Sequence, residues 1–215
     1  MSKKKTTTTA TELTIAPPNL QVAEFRIIGT APYVQHKFSH KAREMMHATQ
    51  AAGSTAKKGK KKEAKDFQLE FEEALHVSKE GWHGIPSAAF RAGMVRACKL
   101  CGFAMTDAKC SFFVVADGYD ADDGTAMTKI TKGKPEYTEL AVRLNGSTAD
   151  LRVRPMWREG WEAVVKVRFD ADLFTLNDMA NLLMRVGVQV GIGEGRPDSP
   201  KSCGMGWGLF ALTSK

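Results

Sequence analysis

The sequence predicts an α+β fold in which helices pack on an antiparallel sheet. Three observations carry this expectation. The predicted elements run strand, helices, several strands, helix, strand, without the regular alternation of βαβ units. Period-two alternation with β-branched residues marks the strands, as in LQVAEFRIIGT (20–30) and WEAVVKVRF (161–169). At 215 residues and 43% hydrophobic, the chain can bury one sizeable core but not two full domains.

Residues 1–18 are Lys/Thr-rich and end in Pro17-Pro18, the composition of a disordered tail before a single domain over 19–215. The first strand, 20–30, is stopped by Gly29 and Pro32. HKFSHKAREMMHATQ reads as a helix with Ser39 as N-cap. AAGSTAKKGKKKEAK (51–65) has no hydrophobic periodicity and reads as an inserted, mobile basic loop. Helix resumes at 66–77. A stronger helix covers 87–101, with Ser87 as N-cap and Ala89, Phe90, Met94, Val95 and Cys98 at helical spacing. Strands are expected at 110–117, 126–131, 138–144, 150–155 and 161–169. The last helix, 175–186, opens on the capping sequence Thr-Leu-Asn-Asp and sets Leu176, Met179, Leu182, Leu183 and Val186 on one face. A glycine-rich segment follows and ends in the strand-like GLFALT.

Lys+Arg exceed Asp+Glu by 31 to 24, a net charge of +7 that favours an anionic partner. The charge is uneven: residues 57–62, KKGKKK, hold five lysines, while acidic residues gather in DGYDADD at 117–123. No apolar run approaches the roughly 20 residues of a membrane span, and MSKKKTTTTATEL lacks the apolar segment of a signal peptide. Four cysteines, not arranged as a disulfide framework, fit a reducing cytoplasm.

The glycine-rich segment VGVQVGIGEGRPDSPKSCGMGWGLF holds seven glycines from Gly187 to Gly208. A dinucleotide fingerprint needs GxGxxG between a strand and a helix, whereas GIGEG follows a helix and runs into Pro197. There is no GxxxxGK[ST] run. Two readings remain: amides that, with Arg196, lie along a sugar-phosphate backbone, or a tight connection packed under other loops. His36, His40 and His47 lack a matching third zinc ligand, so no metal is expected. Cys98-Lys-Leu-Cys101 sits in a helix with no second CxxC, and Cys98 fits the apolar stripe of a core cysteine. Tyr33, Phe38, Trp82, Trp157, Trp161 and Trp207 neighbour basic or glycine-rich loops, the setting in which single-strand binders stack bases. Within RVRPMWREGW, Arg152 and Arg154 share one strand face opposite Val153, with Trp157, Arg158 and Trp161 beyond. No Ser-His-Asp order, HExxH or spaced carboxylate pair stands out, so neither catalytic residues nor a cofactor are expected.

GWHGIPSAAFRAGMVRACKLCG resembles a segment of the RAMP-type CRISPR backbone subunits, roughly IPgSslkGalR, through Ile85, Pro86, Ser87, Phe90, Arg91 and Arg96. The C-terminal segment resembles the glycine-rich loop of that superfamily through Ile192-Gly193, Arg196 or Lys201, and Gly204-Met-Gly206. Ten residues separate Gly193 from Gly204, where the family usually has about five. GTAPYVQHKFSHKA also looks like the start of phage-encoded members. The resemblance implies a modified ferredoxin-like (RRM-like) core with insertions. It also implies single-stranded nucleic acid bound along the sheet and loops, and side-by-side assembly into a filament.

The expectation is a non-enzymatic protein that oligomerises on single-stranded RNA or DNA. His36, Lys37, Lys57, Lys58, Lys60, Lys61, Lys62, Arg91, Arg152, Arg154, Arg158, Arg196 and Lys201 would meet the backbone, with Trp157 stacking a base. Two alternatives stay open: a structural or protein-interaction module of a phage or defence system, and a metal-independent endoribonuclease with His36 as general base.

Overall fold

A computed structural model describes residues 16–38, 40–52, 66–144, 148–199 and 204–213 of the chain. The expected tail and basic loop fall largely outside these residues, as do Ser39, Lys57, Lys58, Lys60, Lys61, Lys62 and Lys201.

The main sheet is antiparallel and centred on two strands far apart in sequence. Strand β1 (Leu20–Gly29) pairs with β9 (Glu162–Asp170) from Leu20↔Asp170 to Ile28↔Glu162. In β9, Ala163, Val165, Val167 and Phe169 are buried and the residues between them are not, the two-residue period of a strand with one covered face. The other edge of β9 is divided between two partners. Strand β4 (Phe112–Val115) takes the end around Phe169, and β6 (Ala126–Lys132) takes the end at Ala163. Strands β3 (Gly84–Pro86) and β5 (Gly118–Tyr119) pair with β6, and β10 (Phe210–Leu212) lies beside β1. A second, three-stranded sheet has the order β2 (Tyr33–Val34), β8 (Thr148–Trp157), β7 (Glu136–Leu144), the last two forming a long hairpin.

Helices cover the buried face of the main sheet. Helix α3 (Ser87–Leu100) contributes Phe90, Met94, Val95, Ala97 and Cys98. Helix α5 (Leu176–Arg185) packs on it through Met179, Leu182 and Leu183, while Leu176, expected on that face, is 58% exposed. Thr175 caps α5: its hydroxyl accepts from the Asp178 amide at 3.1 Å, and the Asp178 carboxylate accepts from the Thr175 amide at 2.9 Å. The helix continues as a π-helical turn, Val186–Val190. Helices α1 (His40–Ala52) and α2 (Phe67–Glu73, capped by Asp66) flank the segment outside the described residues.

Most expected elements are present, with three corrections. Residues 110–117 are not one strand: helix α4 (Met105–Ser111) precedes β4. Helix α2 stops at Glu73, short of the expected 77. Ser87 is the first residue of α3 rather than its cap, and its hydroxyl lies 3.1 Å from that of Thr128. The architecture is an α+β fold with antiparallel sheets, compatible with a ferredoxin-like core.

Candidate nucleic-acid interface

The glycine-rich segment begins where the π-helical turn ends, and it is held by its own backbone. The Glu194 amide donates to Val34 O at 3.0 Å, Ile192 to Gly208 O at 3.1 Å, Gly208 to Pro32 O at 2.7 Å and Met205 to Gly195 O at 2.7 Å. Gly208 has φ +69°, and a Cβ there would lie 1.8 Å from Ile192 O. At Gly193, φ +77°, a Cβ would lie 2.5 Å from Val34 O. Glycine at these two positions lets backbone approach backbone inside the protein. Gly206 differs: its φ is +73°, yet nothing lies within 4 Å of the Cβ position.

Between this loop and the β2–α3 region runs a groove of about 730 Å³. Residues 190–196, Tyr33, Gln35, His36, His76 and the first turns of α3 line it. Arg96, Arg152 and Arg196 line it, opposed by Glu194 and Asp198. Arg96 Nε donates to both oxygens of Asp198 at 3.0 and 3.1 Å, and Arg196 Nη1 donates to Gly193 O at 3.0 Å. The amides of Gly193, Gly195 and Arg196 line the groove without a hydrogen-bond partner among the described residues. Backbone N–H groups grouped in this way, beside guanidinium groups, suit an anion.

Glu194 is central to the cationic wall. Its Oε2 accepts from Arg154 Nε at 2.7 Å and lies 3.7 Å from His36 Nδ1, while Oε1 lies 3.9 Å from Arg152 Nη1. Burial and the Arg154 charge push the pKa of His36 down, and Glu194 partly offsets them. The His36 imidazole is therefore neutral near pH 7.

Behind the groove lies a buried polar network. Gln35 donates from Nε2 to Tyr33 Oη at 3.0 Å and to Gly84 O at 2.8 Å, and its Oε1 accepts from the His76 amide at 2.8 Å. His76 Nδ1 lies 2.8 Å from Asp120 Oδ2, and Lys37 Nζ donates to Asp120 Oδ1 at 2.7 Å. That same oxygen also accepts from the amides of Asp122 and Asp123, at 2.9 and 3.2 Å. Burial raises the Asp120 pKa, but Lys37, these amides and His76 outweigh it and hold the carboxyl at about 2. Ligand atoms of His76, Asp120 and Asp123 lie within 4.8 Å of one another, but the Lys37 ammonium already supplies the positive charge there.

The expected site residues therefore separate. His36, Arg152 and Arg196 come together in the groove, and Arg154 joins them through Glu194. Lys37 does not face solvent: it is 9% exposed and neutralised by Asp120 and Asp122, so it is structural. Arg91 donates to the carbonyls of Lys109 and Phe112 and stacks over Phe113, joining α3 to α4 and β4 away from the groove. Arg158 is exposed but pairs with Glu136 at 2.7 Å and does not line the groove. Trp157, expected to stack a base, is fully buried against Tyr33, with ring centroids 5.4 Å apart. Of the aromatic residues singled out, Phe38 is the exposed one, at 61%, with its ring 5.6 Å from that of His36. Sequence reasoning missed Arg96 as a groove residue and His76 altogether. For Arg96 its place one turn beyond Ala92 on α3 was a signal, and for His76 there was none.

No protein-family model matches the sequence, and no curated protein matches it. The fold matches 35 chains of solved structures. One is a chain in the cryo-EM structure of the type III-B Cmr-beta bound to cognate target RNA. The match has a TM-score of 0.50 and 11% identity, and covers 91% of this chain and 60% of the other. The present chain thus spans about three fifths of the length of the chain it matches. None of the described helices is long and apolar enough to cross a membrane. At this level of identity the likeness is one of fold, and it bears out the α+β antiparallel architecture expected from sequence.

Proposed function

We propose that the chain is a non-enzymatic protein that binds single-stranded nucleic acid in the groove beside the glycine-rich loop and assembles side by side along it. One observation carries this reading: three arginines, His36 and the residues Gly193, Gly195 and Arg196, whose amides are unpartnered among the described residues, line one open groove, and the exposed Phe38 ring lies beside His36. Arginines and amides suit phosphates, and an exposed ring suits a base. The likeness to a chain in an RNA-bound Cmr assembly supports nucleic acid as the ligand class. Lys57, Lys58, Lys60, Lys61, Lys62 and Lys201, outside the described residues, would add phosphate contacts in this proposal.

The test is fluorescence anisotropy with labelled single-stranded oligonucleotides across a salt series. If Arg96, Arg152 and Arg196 each neutralise one phosphate, log K should fall with log salt with a slope of roughly −2 from these three alone. Arg152→Ala should lower affinity and flatten the slope by about 0.7. Absence of binding at low salt, or binding indifferent to salt, refutes the proposal. Sedimentation with and without oligonucleotide tests assembly.

A protein-interaction module is the second reading. It is favoured by the internal pairing of basic groups, Arg96 with Asp198 and Arg154 with Glu194. Self-association that ignores nucleic acid would support it.

A further inference from the structure

His76 is an unusual occupant of the groove wall. It is 6% exposed and lines the groove, and its Nδ1 meets Asp120. Asp120 has no freedom to change this arrangement. One of its oxygens takes the Lys37 ammonium and two amides, and the other takes His76 Nδ1. An ionised carboxylate only accepts hydrogen bonds, so Nδ1 carries the proton. In the neutral imidazole the lone pair is then on Nε2. Nε2 has no hydrogen-bond partner among the described residues, and it is not among the side-chain atoms sealed from solvent without one. The backbone is fixed as well, because the His76 amide donates to Gln35 Oε1. The protein thus holds one hydrogen-bond acceptor, fixed in tautomer and position, in the same groove that the arginines and the glycine-rich loop line.

We infer that His76 Nε2 accepts a hydrogen bond from a ribose 2′-hydroxyl, so that the groove selects RNA over DNA. The inference rests on the groove binding nucleic acid as proposed above. The chemistry fits because the arginines and loop amides lining the same groove suit phosphates, which brings the sugars of a bound strand within reach of the other groove residues. A phosphate oxygen gives nothing to a lone pair, and neither does a deoxyribose. The 2′-hydroxyl is the donor that RNA has and DNA lacks.

The experiment measures wild-type affinity, at mildly alkaline pH, for oligouridylate, its 2′-deoxy equivalent and its 2′-fluoro equivalent. The fluoro sugar retains the ribose-like pucker but cannot donate. A net hydrogen bond of about 1 kcal/mol predicts RNA binding about 5-fold tighter than either analogue. In His76→Ala, with folding checked by circular dichroism, the RNA-to-DNA ratio should fall to about one. Equal wild-type affinity for RNA and DNA overturns the inference while leaving the groove reading intact. A 2′-fluoro strand that binds like RNA also overturns it, because shape rather than the hydroxyl would then be read. A ratio that survives in a folded His76→Ala protein overturns the role of His76. Binding to none of the three strands overturns the groove reading itself. The analogue comparison uses wild-type protein, so it holds even if the variant fails to fold.

Discussion

Replacing Asp120 by asparagine keeps the side-chain volume and removes the charge at the centre of the buried network. The Lys37 and Asp120 side chains are 7% and 1% exposed, so the variant leaves the buried ammonium with a neutral amide and only the half-exposed Asp122 carboxylate, 3.2 Å away. Breaking such a pair from one side costs about 3–5 kcal/mol. The pH dependence gives a second, independent magnitude. Asp120 titrates at about 2 in the folded protein against an ordinary 3.8. At 1.36 kcal/mol per unit, the gap corresponds to about 2.5 kcal/mol. The folded pKa is the lower one, so this stabilisation is fully present above the unfolded value and is lost as pH falls through the folded one. Roughly 1.6 kcal/mol of it is gone by about pH 2.5. Urea unfolding, followed by the fluorescence of the buried Trp157 and Trp161, measures both quantities. Asp120→Asn should be less stable at neutral pH by about 3 kcal/mol or more, and its deficit should shrink by about 1.6 kcal/mol near pH 2.5. Acid titration of the other carboxylates affects both proteins and drops out of the difference. Equal stability at neutral pH, or a deficit that does not change with acid, would refute the argument.

Three further outcomes follow from the geometry. Gly208→Ala should destabilise the protein by more than 3 kcal/mol, because its Cβ would overlap Ile192 O, whereas Gly206→Ala should cost only about 1–2 kcal/mol for its positive φ; melting temperatures compare the two. Thr175→Ala should cost about 1 kcal/mol through loss of the α5 cap, seen in the urea midpoint at unchanged m-value. Trp157→Ala should lower stability by about 3–5 kcal/mol, and a salt slope equal to wild type at low temperature would confirm that it does not contact nucleic acid.

What could be read from the sequence follows from which interactions are local. Strands β1 and β9 show in their alternation because each has one covered face, and α5 shows in its cap and apolar stripe. Helix α4 was missed because MTDAKCS buries only Ala108 and Ser111, and its end runs directly into the β-prone FFVV. The site was legible in part. The glycine segment, Arg152 and Arg196 stand out by composition, and they do share a groove. Lys37 was misread because its counter-ion, Asp120, is 83 residues away, and a lysine next to histidines looks like surface charge. Trp157 was misread for the related reason that a basic neighbourhood in sequence says nothing about which way an aromatic ring points. His76 carries no local pattern at all; only the chain crossing that brings Gln35 and Asp120 to either side of it makes it distinctive.

The pairing of β1 with β9 also constrains how the molecule is made. The first strand of the main sheet has no neighbours in it until residues 162–170, and then 210–212, have been synthesised. Strand β4, made in between, also waits for β9, whereas β6 can pair at once with β3 and β5. A growing chain therefore carries an exposed, alternating apolar strand, open to wrong pairing, until residues 162–170 are made. With so many contacts between distant residues, folding of the main sheet should be slow and should wait for β9 and β10. A nascent chain arrested before β9 should accordingly be protease-sensitive along β1, while the β7–β8 hairpin, complete by then, should be less so.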